Sequence, residues 1–222
     1  MRDISFVIRA HNEERWVGHA IQSVLDAFGN KTSIQIVYHQ SSDDTLSVIK
    51  LFGKNFYNVN VMSIDEKIYR PGLAINRGVS LCETDVVGIL SSHCEIVSVH
   101  KEKILKYFDD EKCFGVMGKQ VPIYRGKRIT PRYVWKNFVG DVVKRNVLED
   151  DGDNKRPFFH NAFSFISKSI WEQNKFDERL AGKEDRYWAK YLCEKGLHFW
   201  LDPDIVCDHH WTPNGATWSG IG

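Results

Sequence analysis

The stretch Asp85 to Glu95, Asp-Val-Val-Gly-Ile-Leu-Ser-Ser-His-Cys-Glu, sets the tightest limit on what this chain can fold into. Val86-Val87-Gly88-Ile89-Leu90 is a short unbroken apolar run, the pattern of a strand buried on both faces in the middle of a parallel sheet. The character then changes abruptly to Ser91, Ser92, His93, Cys94 and Glu95, small or polar residues whose groups suit metals and phosphates. In open α/β sheets ligands gather at the carboxyl ends of central strands. A buried strand emerging into such a cluster predicts the floor of a site.

The flanking chain alternates strand and helix. Ile4 to Ile8 predicts a strand, followed by Asn12 as an N-cap with Glu13 and Glu14 in the first helical turn. Val17, Ala20, Ile21, Val24, Leu25 and Phe28 continue that helix to a stop at Gly29. Ile34 to Tyr38 predicts a second strand, with a helix through Leu46, Val48, Ile49 and Phe52 closed by Gly53. Val59 to Met62 reads as a third strand, and Pro71 opens a helix through Gly78. After the central strand come a helix over 101–109 and a strand over 114–117. This order predicts an α/β fold with a mostly parallel central sheet and helices on both faces.

The second half is less regular. Val134, Phe138 and Val142 are spaced as in a helix over 132–145, and 158–166 reads as an apolar strand. The charged run Glu149 to Pro157 predicts a solvated, mobile loop. A helix over 184–195 carries Trp188, Ala189, Tyr191, Leu192 and Cys193 inward, and Asp204 to Cys207 predicts a strand.

Composition narrows the classes. The 222 residues carry a formal net charge of +1, which leaves no electrostatic footprint for nucleic acid. No apolar run approaches the roughly 20 residues that span a bilayer, and no signal peptide is read at the N-terminus. The five cysteines are odd in number and contain no Cys-x-x-Cys, so buried free thiols in a reducing compartment are expected. The expected location is cytoplasmic, with room for peripheral association at the inner face of a membrane.

Five polar clusters follow apolar segments or open a helix: 9–14, 39–44, 91–95, 181–186 and 208–211. Taken singly, Asn12, Asp43 and Asp185 are explained as helix caps, His93 as a core histidine, and His209-His210 as a surface pair. Capping alone does not account for two separated histidine clusters together with an Asp beside a Glu.

The order of these pieces resembles the family 2 glycosyltransferases, inverting enzymes of the GT-A fold. Ile8 to Glu14 is similar to their opening strand and Asn-Glu loop, and Ser41-Ser42-Asp43-Asp44-Thr45 to the element after their second strand. Tyr69 to Gly78 resembles their Gly-x-Ala-x-Asn-x-Gly helix; Phe176-Asp177-Glu178 and Glu184-Asp185 resemble their Phe-Asp-Glu and Glu-Asp signatures. The chain departs from the family where Tyr38 and His39 stand in place of a base-reading Asp. It departs again where Ser91-Ser92-His93 stands in place of Asp-x-Asp, closer to a subset with Ser-x-His-Cys.

The resemblance implies a single GT-A domain over 1–222, with a nucleotide-sugar half (1–98) and an acceptor half (99–222). It implies transfer of one sugar to a hydroxyl of a glycan or lipid-linked saccharide, in surface polysaccharide synthesis. Asp185 would be the general base and Glu184 its orienting partner. Arg9, His11, Asn12, Glu14, Gln40, Asp43, Asn76, Arg77, Ser91 and Ser92 would bind the donor, and Asn161 the acceptor. A divalent metal, Mn²⁺ or Mg²⁺, would sit on His93 with His209 or His210; alternatively a cation such as Arg77 or Lys183 would replace it. The small-residue tail 215–222 would form a lid over the donor. Two rivals remain: a non-catalytic nucleotide-sugar-binding relative, and a zinc hydrolase or deaminase built on His93, Cys94 and Glu95.

Overall fold

The computed structural model describes residues 3–65, 67, 69–149, 155–213 and 215–218. Strands β1 (Ile4–Ala10), β2 (Ile34–His39), β3 (Val59–Ile64) and β4 (Val86–Ser91) alternate with helices α1 (Val17–Phe28), α2 (Thr45–Asn55) and α3 (Pro71–Ser80). Then follow β5 (Cys94–Ser98), α4 (Lys101–Tyr107), β6 (Cys113–Tyr124), β7 (Phe163–Ser167), α5 (Lys168–Gln173), α6 (Glu184–Glu194) and β8 (His198–His210). The long strands lie in the order β3-β2-β1-β4-β7-β6-β8-β5. Neighbours are parallel from β3 to β4 and between β6 and β8; β7 runs antiparallel to both β4 and β6.

β4 is buried at all six positions, as its unbroken apolar run predicts. Val86 and Leu90 face one core with α1. Val87 and Ile89 face a second with α3 and α6. The α3 segment is a packing device from end to end. A Cβ on Gly78 would lie 2.4 Å from Val7 Cγ1, so only glycine lets the helix sit this close to β1. Asn76 Nδ2 donates to the Phe176 carbonyl (2.9 Å) and to Glu178 (2.9 Å), while its Oδ1 accepts from the Trp171 indole (2.9 Å) and the Phe176 amide (3.2 Å).

Several local expectations are corrected. α1 starts at Val17 rather than after Asn12, with Trp16 at its cap and no side-chain cap bond. Asn12 instead sits at φ 54° in the turn before it. Gly53 lies inside α2, which runs on to Asn55 with Phe56 as its C-cap. The helical spacing over 132–145 yields one 3-10 turn, Tyr133–Phe138, because Gly140 at φ 112° turns the chain away. Within 158–166 the strand begins only at Phe163. Tyr191 is 48% exposed on α6. Glu149 and Arg156 are not solvated: Arg156 Nε donates to Glu149 at 2.7 Å, and both are mostly buried. Residues 150–154 of that run lie outside the described residues. All five cysteines are free, and among the described residues no helix is long and apolar enough to cross a membrane.

Candidate active site

The parallel register places Arg9, at the end of β1, beside Ser91, at the end of β4. Arg9 Nη2 donates to Ser91 Oγ (3.0 Å) and to the Asn161 carbonyl (3.3 Å), joining the turn before β7 to the two strand ends. Above them opens a cleft of about 820 Å³. Its walls include His11, Glu13, Tyr69, Ser92, His93, Asn161, Lys183, Glu184 and Asp185.

Glu184 and Asp185 form the first turn of α6, which Lys183 enters in the left-handed conformation at φ 60°. Asp185 Oδ2 accepts from the Asn161 amide (3.0 Å); its Oδ1 accepts from the Arg186 amide (2.8 Å) and Nη1 (3.3 Å). These donors fix the carboxylate in direction. Arg186 is in turn gripped by Glu149 and lies over the Phe158 ring. Glu184 sits 3.8 Å from Arg9 Nη1. Burial, then the charge of Asp185, push its carboxyl up to about 7 against the pull of Arg9. Asn161 Nδ2 is buried, and the Asn161 side chain also helps pull the Glu184 carboxyl down.

A line of histidines runs along the floor. Ala162 N and Gln120 Nε2 both approach His160 Nδ1 (3.3 and 3.1 Å), so that nitrogen is the acceptor. The Gln120 amide is thereby fixed, and its Oε1 accepts from His209 Nδ1 at 3.0 Å. His209 Nε2 is left buried with a bare lone pair and, among the described residues, no partner. Its ring centroid lies 4.9 Å from that of His93, and His93 Nδ1 meets Glu13 Oε1 at 2.9 Å. Burial, reinforced by neighbouring positive groups, lowers the pKa of His160 to about 3 and that of His209 well below the usual range. Both rings are therefore neutral. A carboxylate or amide on one ring nitrogen that leaves the other open is how proteins orient metal-binding imidazoles. Among the described residues no three His, Cys, Asp or Glu groups are placed to hold a metal. His93 and His209 therefore offer two imidazoles at most, and any further ligand to a metal would have to come from a bound molecule.

The model of the family described as "Glycosyl transferase family 2" matches residues 5–173. The chain belongs to glycosyl transferase family 2. No curated protein sequence matches it. Among solved structures it is similar to TarS of S. aureus (residues 1–349), with TM-score 0.67 over 94% of this chain and 60% of that one. It is similar to the mannosyltransferase PcManGT from Pyrobaculum calidifontis, in complex with GDP-Man and Mn²⁺ (TM-score 0.70, 97% and 59%). It also resembles GalNAc-T7 with UDP, GalNAc and Mn²⁺ (0.72, 97% and 45%). Each is 16% identical, a likeness of fold: the mixed α/β sheet is that of GT-A glycosyltransferases. The chain spans about half to three-fifths of the length of these relatives.

Within this family 2 domain the residues expected at the site divide into groups. Arg9, His11, Ser91, Ser92, His93, Asn161, Glu184 and Asp185 line the cleft. Asn12, Glu14 and Asp43 instead clasp the β1–α1 and β2–α2 loops together. Asn12 Oδ1 accepts from the Ser42 amide (2.8 Å), Asp43 Oδ2 from the Glu14 amide (3.0 Å), and Glu14 Oε2 from the Asp44 amide (2.9 Å). Asn76 has its amide fully occupied in packing. Arg77 and Gln40 are exposed and do not line the cleft. Strand alternation separates the two C-terminal histidines: His209 faces His93, while His210 stacks on Trp16 at 4.1 Å and pairs with Glu95. His93, Cys94 and Glu95 do not converge, since Cys94 is in the hydrophobic core; this removes the zinc hydrolase or deaminase rival.

Residues absent from the sequence reading complete the site. Tyr69 stacks parallel to His11, 5.8 Å between centroids, and His11 Nδ1 meets His39 Nδ1 at 3.1 Å. Gln120, His160 and Glu13 orient the histidines, while Gly215 and Thr217 of the expected tail line the cleft. Residues 219–222 of the expected lid lie outside the described residues. The one available signal was Gln120, a lone amide inside the apolar strand β6.

Proposed function

We propose that this domain transfers a single sugar, with inversion, from a nucleotide-sugar to a hydroxyl of a glycan or lipid-linked saccharide in surface polysaccharide synthesis. The observation that carries the proposal is the Glu184–Asp185 pair at the start of α6, turned into a cleft floored by the polar ends of β1 and β4. Asp185, held by three donors, takes the proton from the acceptor hydroxyl as that oxygen attacks the anomeric carbon. Asn161 offers its Nδ2 to the acceptor. Ser91, Ser92 and Arg9 meet the donor, and the His11–Tyr69 stack provides a flat surface for a nucleobase. Lys183 and Arg9 supply positive charge near the departing diphosphate.

The PcManGT and GalNAc-T7 structures are complexes with Mn²⁺ and GDP-Man or UDP, which supports a nucleotide donor and a divalent ion here. His93 and His209 would hold that ion, which when bound offsets diphosphate charge. A second reading, with Glu184 as the base, is favoured by its carboxyl at about 7, close to a working pH.

The test is a donor panel with Mn²⁺, reading nucleoside diphosphate release and sugar transfer. Asp185→Asn should abolish turnover, and Glu184→Gln should leave measurable turnover. The reverse ranking would assign the base to Glu184. No release from any donor would refute the transferase reading in favour of a non-catalytic nucleotide-sugar-binding relative.

A further inference from the structure

The charge of this chain is segregated. Residues 125–148, the excursion that follows β6, contain seven basic residues (Arg125, Lys127, Arg128, Arg132, Lys136, Lys144, Arg145) and one acid, Asp141. That is +6 in 24 residues of a chain whose formal total is +1, so the remainder carries −5. All seven are exposed. Among the described residues Arg125, Lys127, Arg132 and Lys136 make no ion pair, and Arg128 has only a distant one with Asp208 at 3.8 Å.

The same excursion holds five large apolar side chains out to solvent: Tyr133, Val139, Val142, Val143 and Leu148. Val142 is 70% exposed and Tyr133 69%. The chain is not loose here. Trp135 and Phe138 are buried, pinning the segment to the sheet and turning its other residues outward. Tyr133 is held at φ 51°, a left-handed conformation costly for an aromatic residue, with its ring at the cleft rim.

We propose that this face docks on an anionic lipid bilayer, with Lys and Arg among the headgroups and the valines and Leu148 in the headgroup–acyl boundary. A polyanion would use the cations and leave the aliphatic side chains idle. A bilayer surface uses both, through Coulombic attraction and apolar burial. Tyr133 and Val134 belong both to this face and to the cleft wall. Docking therefore brings the cleft mouth to the membrane surface, where the saccharide of a lipid-linked acceptor stands. That last step rests on the transferase reading; the docking itself does not.

The experiment is co-flotation of the full chain with phosphatidylcholine vesicles, with and without phosphatidylglycerol, at low and high salt. Wild type should float with the anionic vesicles only, and salt should release it as the screening length shrinks from about 10 Å toward 3 Å. Replacing Arg125, Lys127, Arg128 and Lys136 together by Ser should weaken partitioning on the order of six hundredfold, at about fivefold per cation. Val142→Asp, which adds no bulk at an exposed position, should weaken it about tenfold. Transfer to a soluble acceptor should be unchanged in both variants.

Absence of wild-type flotation at low salt would overturn the proposal, as would equal flotation of the quadruple variant. Binding to heparin as tight as to vesicles and indifferent to Val142→Asp would reassign the face to a polyanion and also overturn it. Each of these outcomes leaves the transfer assay untouched, so the two readings fail separately.

Discussion

Replacing Glu184 by glutamine isolates the effect of putting a carboxyl in the wall of the cleft. Glu184 is 4% exposed beside Asp185, and its carboxyl rises from the ordinary 4.5 to about 7. A carboxyl whose pKa is raised by folding leaves the native state fully stable below the unfolded value and weakens it as pH climbs through the folded value. The window is therefore pH 4.5 to 7, and the loss across it is roughly 3 kcal/mol, at about 1.4 kcal/mol per decade. Glutamine keeps the shape and cannot ionise. Relative to wild type, Glu184→Gln should gain about 3 kcal/mol of stability between pH 4 and pH 8, on the order of 6–12 °C in midpoint. Urea unfolding of both proteins across this range measures it, and taking the difference cancels the other titrating groups, including His160 and His209. Parallel curves would refute the reasoning, because they would mean that Glu184 ionises in the fold as easily as in water.

Three further outcomes follow from the packing and the histidines. Gly78→Ala forces a methyl to within 2.4 Å of Val7, and should cost about 1–3 kcal/mol in denaturant unfolding. Asn76→Ala strips the Trp171 indole and the Phe176 amide of their acceptor, and should cost about 3 kcal/mol; a loss below 1 kcal/mol would show that water replaces the amide. Mn²⁺ with a nucleoside diphosphate should raise the thermal midpoint of wild type and fail to do so in His93→Ala and His209→Ala. The same rise in all three proteins, or one that ignores EDTA, would remove both histidines as ligands.

The first half of the fold was legible because each of its segments declares itself locally. β4 is apolar and short, α1 keeps its period for twelve residues, and Pro71 marks the start of α3. The second half hides its structure in distant partners. β7 enters the sheet between β4 and β6, against the direction of both, which no local pattern specifies. β5 follows the polar cluster at once but pairs with β8, over a hundred residues later. The spacing of Val134, Phe138 and Val142 is real, yet Gly140 ends the turn before Val142 can join it.

The site divides the same way. Side chains at strand ends and at the start of α6 were found because sheet topology delivers them to one edge. Asp43 does hold the start of α2, through the Thr45 amide, but Asp43 and Glu14 also take backbone amides on each other's loops, which no local pattern announces. Tyr69 and Gln120 were missed because an aromatic in a loop and an amide in a strand acquire meaning only from what stands opposite.

The four hydrogen bonds of Asn76 bear on how the cleft keeps its shape. They fasten α3 to the segment that leads into α6, so the two carboxylates take their position from a helix a hundred residues earlier in the chain. The Asn-x-Gly and Phe-Asp-Glu signatures are then two halves of one hinge pin. A change on either half should surface as a misplaced acid pair, with the cleft intact and its acid groups out of line.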